Sequence, residues 1–212
     1  MRTVLLTGFE PFADDPTNPS GDAVRLVADA WTGPERLVTA VFPVAFASAA
    51  DALRALIDEH SPDLVIATGL AGGRTAVTPE RVAINLIDAR IPDNAGAQPS
   101  DAPSIEGAPA AYFATLPVKA IVQNATAAGI PSTVSTTAGT YVCNHVFYQA
   151  LHAAQARPGM RAGFVHVPYA AESAPAGAFA LPLADIARAL EIAVRTSLDT
   201  AKDVGGIGGS LH

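Results

Sequence analysis

Ala162-Gly163-Phe164-Val165-His166-Val167-Pro168 reads as a strand with two apolar faces. Phe164 to Val167 is a short apolar run, and Pro168, which has no N–H to give a ladder, stops it one residue after Val167. Strands buried on both faces belong to parallel sheets covered by helices on each side. Outward from this run, the same texture recurs. Thr3 to Thr7, Leu37 to Val44, Leu64 to Thr68, Arg81 to Asp88 and Thr133 to Thr137 also read as strands. Between or after them, Gly21 to Ala30, Ser48 to Glu59, Pro117 to Ala128, Asn144 to Ala156 and Leu183 to Ala201 carry apolar residues at helical spacing. Such alternation predicts an α/β fold, a single-domain three-layer α/β/α sandwich around a mainly parallel (mixed) central sheet. One domain over 1–204 is expected. Within it, Ile91 to Ala110, rich in Pro, Ala, Asp and Gly, reads as an excursion from the sheet and a candidate interface arm. Residues 205–212, with two Gly-Gly pairs, read as a flexible tail.

The chain has 212 residues, 50% of them hydrophobic, enough for one buried core. A net charge of −7 with no run of lysine or arginine argues against a nucleic-acid partner. The apolar stretches are short and interrupted by charge or proline, so no membrane span is expected, and a start that runs directly into a strand does not read as a signal peptide. With one cysteine no intrachain disulfide can form, and a working thiol needs a reducing compartment, so a cytoplasmic protein is expected. Neither a cofactor nor a metal is expected.

That cysteine is Cys143, in Ala138-Gly139-Thr140-Tyr141-Val142-Cys143-Asn144-His145-Val146-Phe147-Tyr148, where Ile130 to Thr137 hands over to a helix. A thiol at a helix N-terminus meets free N–H groups and the positive end of the dipole, so its pKa is expected to fall and its nucleophilicity to rise. The plainer reading is a small buried hydrophobe. His166 weighs against that reading. It closes its strand at the C-terminal edge, where open α/β sheets bind ligands, and a strand-to-helix junction bearing Cys143 opens on the same edge. A core histidine satisfied by backbone is the alternative for His166, and His145, close to Cys143 in sequence, is the rival base.

A third segment, Pro79-Glu80-Arg81-Val82-Ala83-Ile84-Asn85-Leu86-Ile87-Asp88-Ala89-Arg90-Ile91, supplies an acid. Together the segments around Glu80, Cys143 and His166 resemble those of pyroglutamyl peptidase I, the pyrrolidone carboxyl peptidases, a family of cysteine peptidases. The resemblance extends to Thr7-Gly8-Phe9-Glu10-Pro11-Phe12, Asn18-Pro19-Ser20 and Gly69-Leu70-Ala71-Gly72-Gly73-Arg74, in order across nearly the whole chain. It implies removal of an N-terminal 5-oxoproline from peptides through a thioacyl-enzyme, with the triad on Glu80, Cys143 and His166. It further implies Arg90 as a second oxyanion donor beside the Cys143 N–H, Phe9 and Phe12 as ring-clamping aromatics, and a homo-oligomer, often a tetramer. Asn18 is expected to brace the Phe9–Phe12 loop. Leu70 stands where the family often has glutamine, so the contribution expected from that position is its backbone.

The chemistry of such a triad can be stated from its groups alone. His166 would take the Cys143 proton and later protonate the leaving amine, while Glu80 would hold the second imidazole nitrogen and fix its tautomer. Glu80 could instead be a solvated loop carboxylate, and Arg90 could pair with Asp88 or Asp93. Two readings from other classes compete. One is an anion- or nucleoside-binding α/β protein that uses the Gly69–Arg74 turn, although that turn lacks Gly-x-Gly-x-x-Gly and Gly-Lys-Ser/Thr patterns. The other is a catalytically inactive relative with an interaction role.

Overall fold

Along the chain of the computed structural model, which describes residues 1–13 and 15–206, run β1 (Thr3–Phe9), α1 (Pro19–Ala30), β2 (Arg36–Phe42), α2 (Phe46–His60), β3 (Leu64–Leu70), β4 (Thr78–Pro79), β5 (Val82–Ile84), β6 (Ala111–Phe113), α3 (Val118–Ala127), α4 (Val142–Gln155), β7 (Arg161–Val167), β8 (Tyr169–Ala170), β9 (Ala180–Leu181) and α5 (Leu183–Asp199). The main sheet has the order β2-β1-β3-β7-β4. Its first four strands are parallel and β4 is antiparallel to β7. Two small pairs, β5-β6 and β8-β9, lie outside it. This is the mixed, mostly parallel α/β architecture that the alternation predicts, and its four parallel strands are β1, β2, β3 and β7.

Side-chain parity divides the sheet into two cores. Val4 and Leu6, Leu64 and Ile66, and Val165 and Val167 point to the side covered by α1, α3 and α5, where Val24, Ile121, Ile186 and Leu190 meet them. Leu5, Val65 and Ala67, and Ala162 and Phe164 point to the side covered by α2 and α4, against Leu53, Ile57, Val146 and Phe147. A strand period of two puts Gly69 with Val65 and Ala67, and His166 with Ala162 and Phe164. Both therefore face α4, the helix that begins at Val142 and bears Cys143.

Two expected strands take other forms. Thr133 to Thr137 is extended beside β4 but pairs only through parallel bridges, Val77 with Ser132 and Glu80 with Ser135. Val77 N–H donates to Pro131 O, Thr133 N–H to Val77 O, Ser135 N–H to Pro79 O and Arg81 N–H to Ser135 O. The bond missing from an unbroken parallel ladder is the one Pro79 would donate, and proline has no N–H. Arg81 to Asp88 keeps regular pairing only over Val82–Ile84, against β6. Asn144 replaces the lost partner there: its Oδ1 accepts from Ile84 N–H at 3.0 Å and its Nδ2 donates to Ile84 O and Leu86 O.

Ile91 to Ala110 is irregular and folds back on the molecule. Ile87 bridges Ala102, Asp93 accepts from the first N–H of α2 at Phe46, and Gln149 Nε2 donates to Ser104 O. Near the C-terminus, the Asp203 carboxylate accepts from Lys119 and Ala120 N–H and so caps α3. Of the stretch read as a tail, 207–212 lies outside the described residues. No helix among the described residues is long and apolar enough to cross a membrane.

Candidate active site

Because β1, β3 and β7 run parallel in register, their C-terminal ends bring Phe9, Leu70 and His166 to one edge of the sheet. The helix N-terminus of α4 arrives there with Cys143 in its first turn, one residue inside the helix. Gly69, paired with His166 across β3 and β7, makes room for the sulfur: a methyl group built on Gly69 would stand 2.7 Å from Cys143 Sγ. Cys143 and His166 line one cavity of about 270 Å³ together with Phe9, Phe12, Asn18, Leu70 and Tyr141. The cavity wall is mostly apolar.

Glu80 is wholly buried between β4 and β5. Its Oε1 lies 2.7 Å from His166 Nδ1. An ionised carboxylate only accepts, so Nδ1 carries the proton and Nε2 keeps its lone pair. The ring is also held by Phe164, whose centroid is 4.7 Å away. His166 is thus a buried histidine satisfied by a carboxylate and not by backbone. The solvated-loop alternative for Glu80 fails on its burial.

Electrostatics here run against one expectation. The Cys143 thiol is pushed up to about 12, first by burial and then by the Glu80 charge, while Arg74 and the Cys143 backbone N–H pull it down. The helix terminus acts in the expected direction, but desolvation is larger. Burial likewise lowers the His166 pKa, against the raising effect of Glu80. A neutral thiol beside a neutral imidazole is the resting pair that follows, rather than a preformed thiolate.

His145 turns away from this cavity. Its Nδ1 lies 2.7 Å from Ser104 Oγ and its ring packs edge-on against Phe46. It belongs to the seam between α4 and the 91–110 segment. Arg90 is exposed and lines an adjoining groove with Asp88, Ile91, Thr140, Phe12 and Tyr141, outside the residues that line the Cys143 cavity. Among the described residues its guanidinium has no hydrogen-bond or ion-pair partner, so the pairing with Asp88 or Asp93 is not formed.

Phe9 is buried against Phe42, and Phe12, half-buried, leans on Tyr141 with centroids 5.3 Å apart. Asn18 ties this loop to the start of α1: Nδ2 donates to Glu10 O at 2.8 Å and Oδ1 accepts from Ser20 N–H, capping α1. In the Gly69–Arg74 turn, a methyl group on Gly72 would strike the Tyr169 ring, and the Arg74 guanidinium turns to Glu80. Gly69 and Gly72 therefore accommodate protein side chains, whereas a methyl group on Gly73 would meet nothing within 4 Å. Among the described residues no group of three or more His, Cys, Asp or Glu side chains is placed to hold a metal ion.

Three residues at this site carry more than their sequence context suggests. Tyr141 precedes α4 and packs between Phe12 and Phe46. Asn144 ties the first turn of α4 to β5, and Arg74 reaches Glu80. Tyr141 and Asn144 sit in the cysteine segment and could have been singled out there. Arg74 gave no signal beyond its glycine-rich neighbours.

The model of the family described as Pyroglutamyl peptidase matches residues 2–200. Pyrrolidone-carboxylate peptidases of Clavibacter michiganensis and Cupriavidus taiwanensis are 52% and 51% identical to this chain, each alignment covering 100% of both chains. Among solved structures, pyroglutamyl peptidase I of Bacillus amyloliquefaciens superposes with a TM-score of 0.92 at 44% identity, covering 96% of this chain and 100% of that one. Pyrrolidone carboxyl peptidase of Thermococcus litoralis gives 0.92 at 39% identity, over 98% and 100%. With the fold, the order of the motifs and the full-length matches in agreement, the chain belongs to the pyroglutamyl peptidase family.

Proposed function

We propose that the protein is a cysteine exopeptidase that removes an N-terminal pyroglutamyl residue from peptides, with Cys143 as nucleophile, His166 as acid–base and Glu80 as the group that orients it. One observation carries this reading: a zero-exposure carboxylate hydrogen-bonded to a histidine that shares an apolar cavity with the chain's only thiol. In the first half-reaction His166 Nε2 takes the thiol proton as Sγ attacks the pyroglutamyl carbonyl. Proton transfer accompanies attack because the thiol is raised and the imidazole lowered at rest. The oxyanion is met by the Cys143 N–H, free in the first turn of α4. The C–N bond then breaks as the imidazolium gives its proton to the departing amine, leaving a thioester on Cys143. Water, deprotonated by His166, attacks the thioester. 5-Oxoproline leaves as its acid and the thiol is restored.

Arg90 as a second oxyanion donor belongs to the same proposal; its support is the family resemblance, and a movement of its exposed side chain would be needed. A lactam ring is small, flat and uncharged, which suits the apolar cavity with Phe9 and Phe12 on its wall, Asn18 bracing the loop and Leu70 offering backbone. Open glutamyl, glutaminyl and prolyl termini carry a charged amine that would lose its water against a mostly apolar wall, on which Asp15 is the one carboxylate among the described residues. The protein acts on such peptides as a homo-oligomer in the cytoplasm: the free thiol suits a reducing compartment, and Phe113, 71% exposed on β6, suits self-association. The test is release of a chromogenic amine from a pyroglutamyl amide. Turnover that vanishes in Cys143→Ala with the fold intact is expected. Equal turnover of prolyl, glutaminyl and pyroglutamyl amides, or full activity in Cys143→Ala, overturns the reading.

A further inference from the structure

Arg74 joins three segments that the reaction needs in register. Its Nη1 lies 2.5 Å from Glu80 Oε1, the same oxygen that receives His166 Nδ1. Its Nη1 also donates to Thr78 Oγ1 in β4, the residue paired with His166 across the sheet. Its Nη2 donates at 2.8 Å to Thr137 O, six residues before Cys143 on the run into α4. Glu80 has no exposure at all, and among the described residues its other oxygen has no protein partner. An unpaired buried carboxylate is costly, and the neutral histidine compensates it only in part. A permanently charged guanidinium offsets more of that cost and fixes Oε1 in space at once.

We propose that Arg74 is a positioning residue of the peptidase reaction, holding the Glu80 carboxylate in place for His166 while tying the acid to the segment that presents Cys143. This rests on the reading of Glu80, His166 and Cys143 as the reacting groups. The positive charge also bears on the protons of the site. Arg74 lowers both the Cys143 and the His166 pKa. It thereby disfavours a proton on His166 and on Cys143. Without Arg74 each accepts its proton at higher pH, and the acid limb of the rate profile moves up. Lysine keeps the charge but not the fork to both Glu80 and Thr137, so it separates the two effects.

The experiment compares Arg74→Ala, Arg74→Gln and Arg74→Lys with the unmodified protein on a pyroglutamyl amide, measuring kcat and KM across pH together with Tm. Arg74→Ala is expected to lose about tenfold or more in kcat, a share of general acid–base help, with KM within about twofold. Its acid limb should shift upward, and added guanidinium ion should restore part of the rate. Arg74→Lys should keep the limb of the unmodified protein and a reduced kcat. Where Arg74→Ala does not fold, Arg74→Gln, which keeps a donor without the charge, is read by the same limits. Kinetics like those of the unmodified protein in Arg74→Ala or Arg74→Gln overturn the proposal, and so does a lost rate with an unmoved limb that follows Tm alone. Unchanged kcat in Arg74→Lys overturns the positioning half. Failure of the peptidase reading is distinct: it shows as no release by the unmodified protein, or as full release by Cys143→Ala.

Discussion

A methyl group added at Gly69 would stand 2.7 Å from Cys143 Sγ and 3.0 Å from Phe164 Cζ, the first the proposed nucleophile and the second a buried ring. Neither can retreat freely, since Phe164 is packed on Phe147 and His166. Gly69→Ala should therefore displace the sulfur and lower kcat/KM about 10²-fold, with a stability loss of about 1–3 kcal/mol from overpacking. A Gly69→Ala protein with unchanged kcat/KM would show that the sulfur reacts from elsewhere. A second expectation concerns the thiol itself. Burial holds it up, and the Glu80 charge adds to that. Glu80→Gln should thus alkylate faster with iodoacetamide at neutral pH than the unmodified protein, while turning over pyroglutamyl amide more slowly because the imidazole loses its orienting charge. Unchanged alkylation in that variant would put Cys143 outside the field of Glu80, and slower alkylation would mean that the Glu80 charge favours the thiolate. Cys143, His166 and Glu80 come forward as candidates in the sequence because Cys143 and His166 stand where a strand ends, Glu80 where one begins, and each lies inside a motif. The sign of the thiol shift was not, since the helix terminus can be read from local sequence whereas desolvation depends on how β3, β7 and α4 close around the sulfur.

At the scale of elements, sequence periodicity located the long strands and the five helices of the described residues to within a few residues and misjudged the pieces that frame the acid. Thr133 to Thr137 has the β-branched texture of a strand, yet a strand is made by its neighbour as much as by itself. Here the neighbour is the two-residue β4, whose Pro79 cannot donate. The shortening of Arg81 to Asp88 to Val82–Ile84 has a side-chain cause, since the Asn144 amide binds both backbone groups of Ile84. No local pattern announces a partner 60 residues away. Asn144 follows Cys143 directly, so its three bonds fix the pitch of the α4 first turn against β5. Asn144→Ala removes the partner of part-buried backbone groups of Ile84 and Leu86, at about 1–3 kcal/mol each at most. The expected outcome is a clear fall in Tm and a fall in kcat larger than any change in KM. A variant that loses stability but keeps kcat would show that α4 is positioned by its packing alone.

Across the whole molecule, the layered arrangement was legible because strand parity and helix spacing both depend on local sequence, and both say which face is buried. What the chain does with Ile91 to Ala110 was not, because that segment is held by scattered polar contacts rather than by periodic apolar ones. His145 makes one of those contacts: it meets Ser104 of the segment at 2.7 Å and packs on Phe46 at the start of α2. Burial first, and then the charge of Arg54, push its pKa down to about 4. In the unfolded chain a histidine titrates near 6.5. Between these values the unfolded chain binds the proton that the folded protein refuses, so stability falls as pH drops from about 6.5 to about 4 and is fully present above that window. The difference amounts to about 3 kcal/mol at most. His166, lowered in the same direction, adds to the slope. His145→Gln keeps a polar side chain of similar reach but cannot titrate, and so should remove part of this acid sensitivity while costing some stability at pH 7. Urea unfolding of both proteins between pH 7 and pH 4.5 measures it. The unmodified protein should lose more stability over that interval than His145→Gln, and equal losses in the two would mean that the seam between α4 and the 91–110 segment opens without protonation of His145.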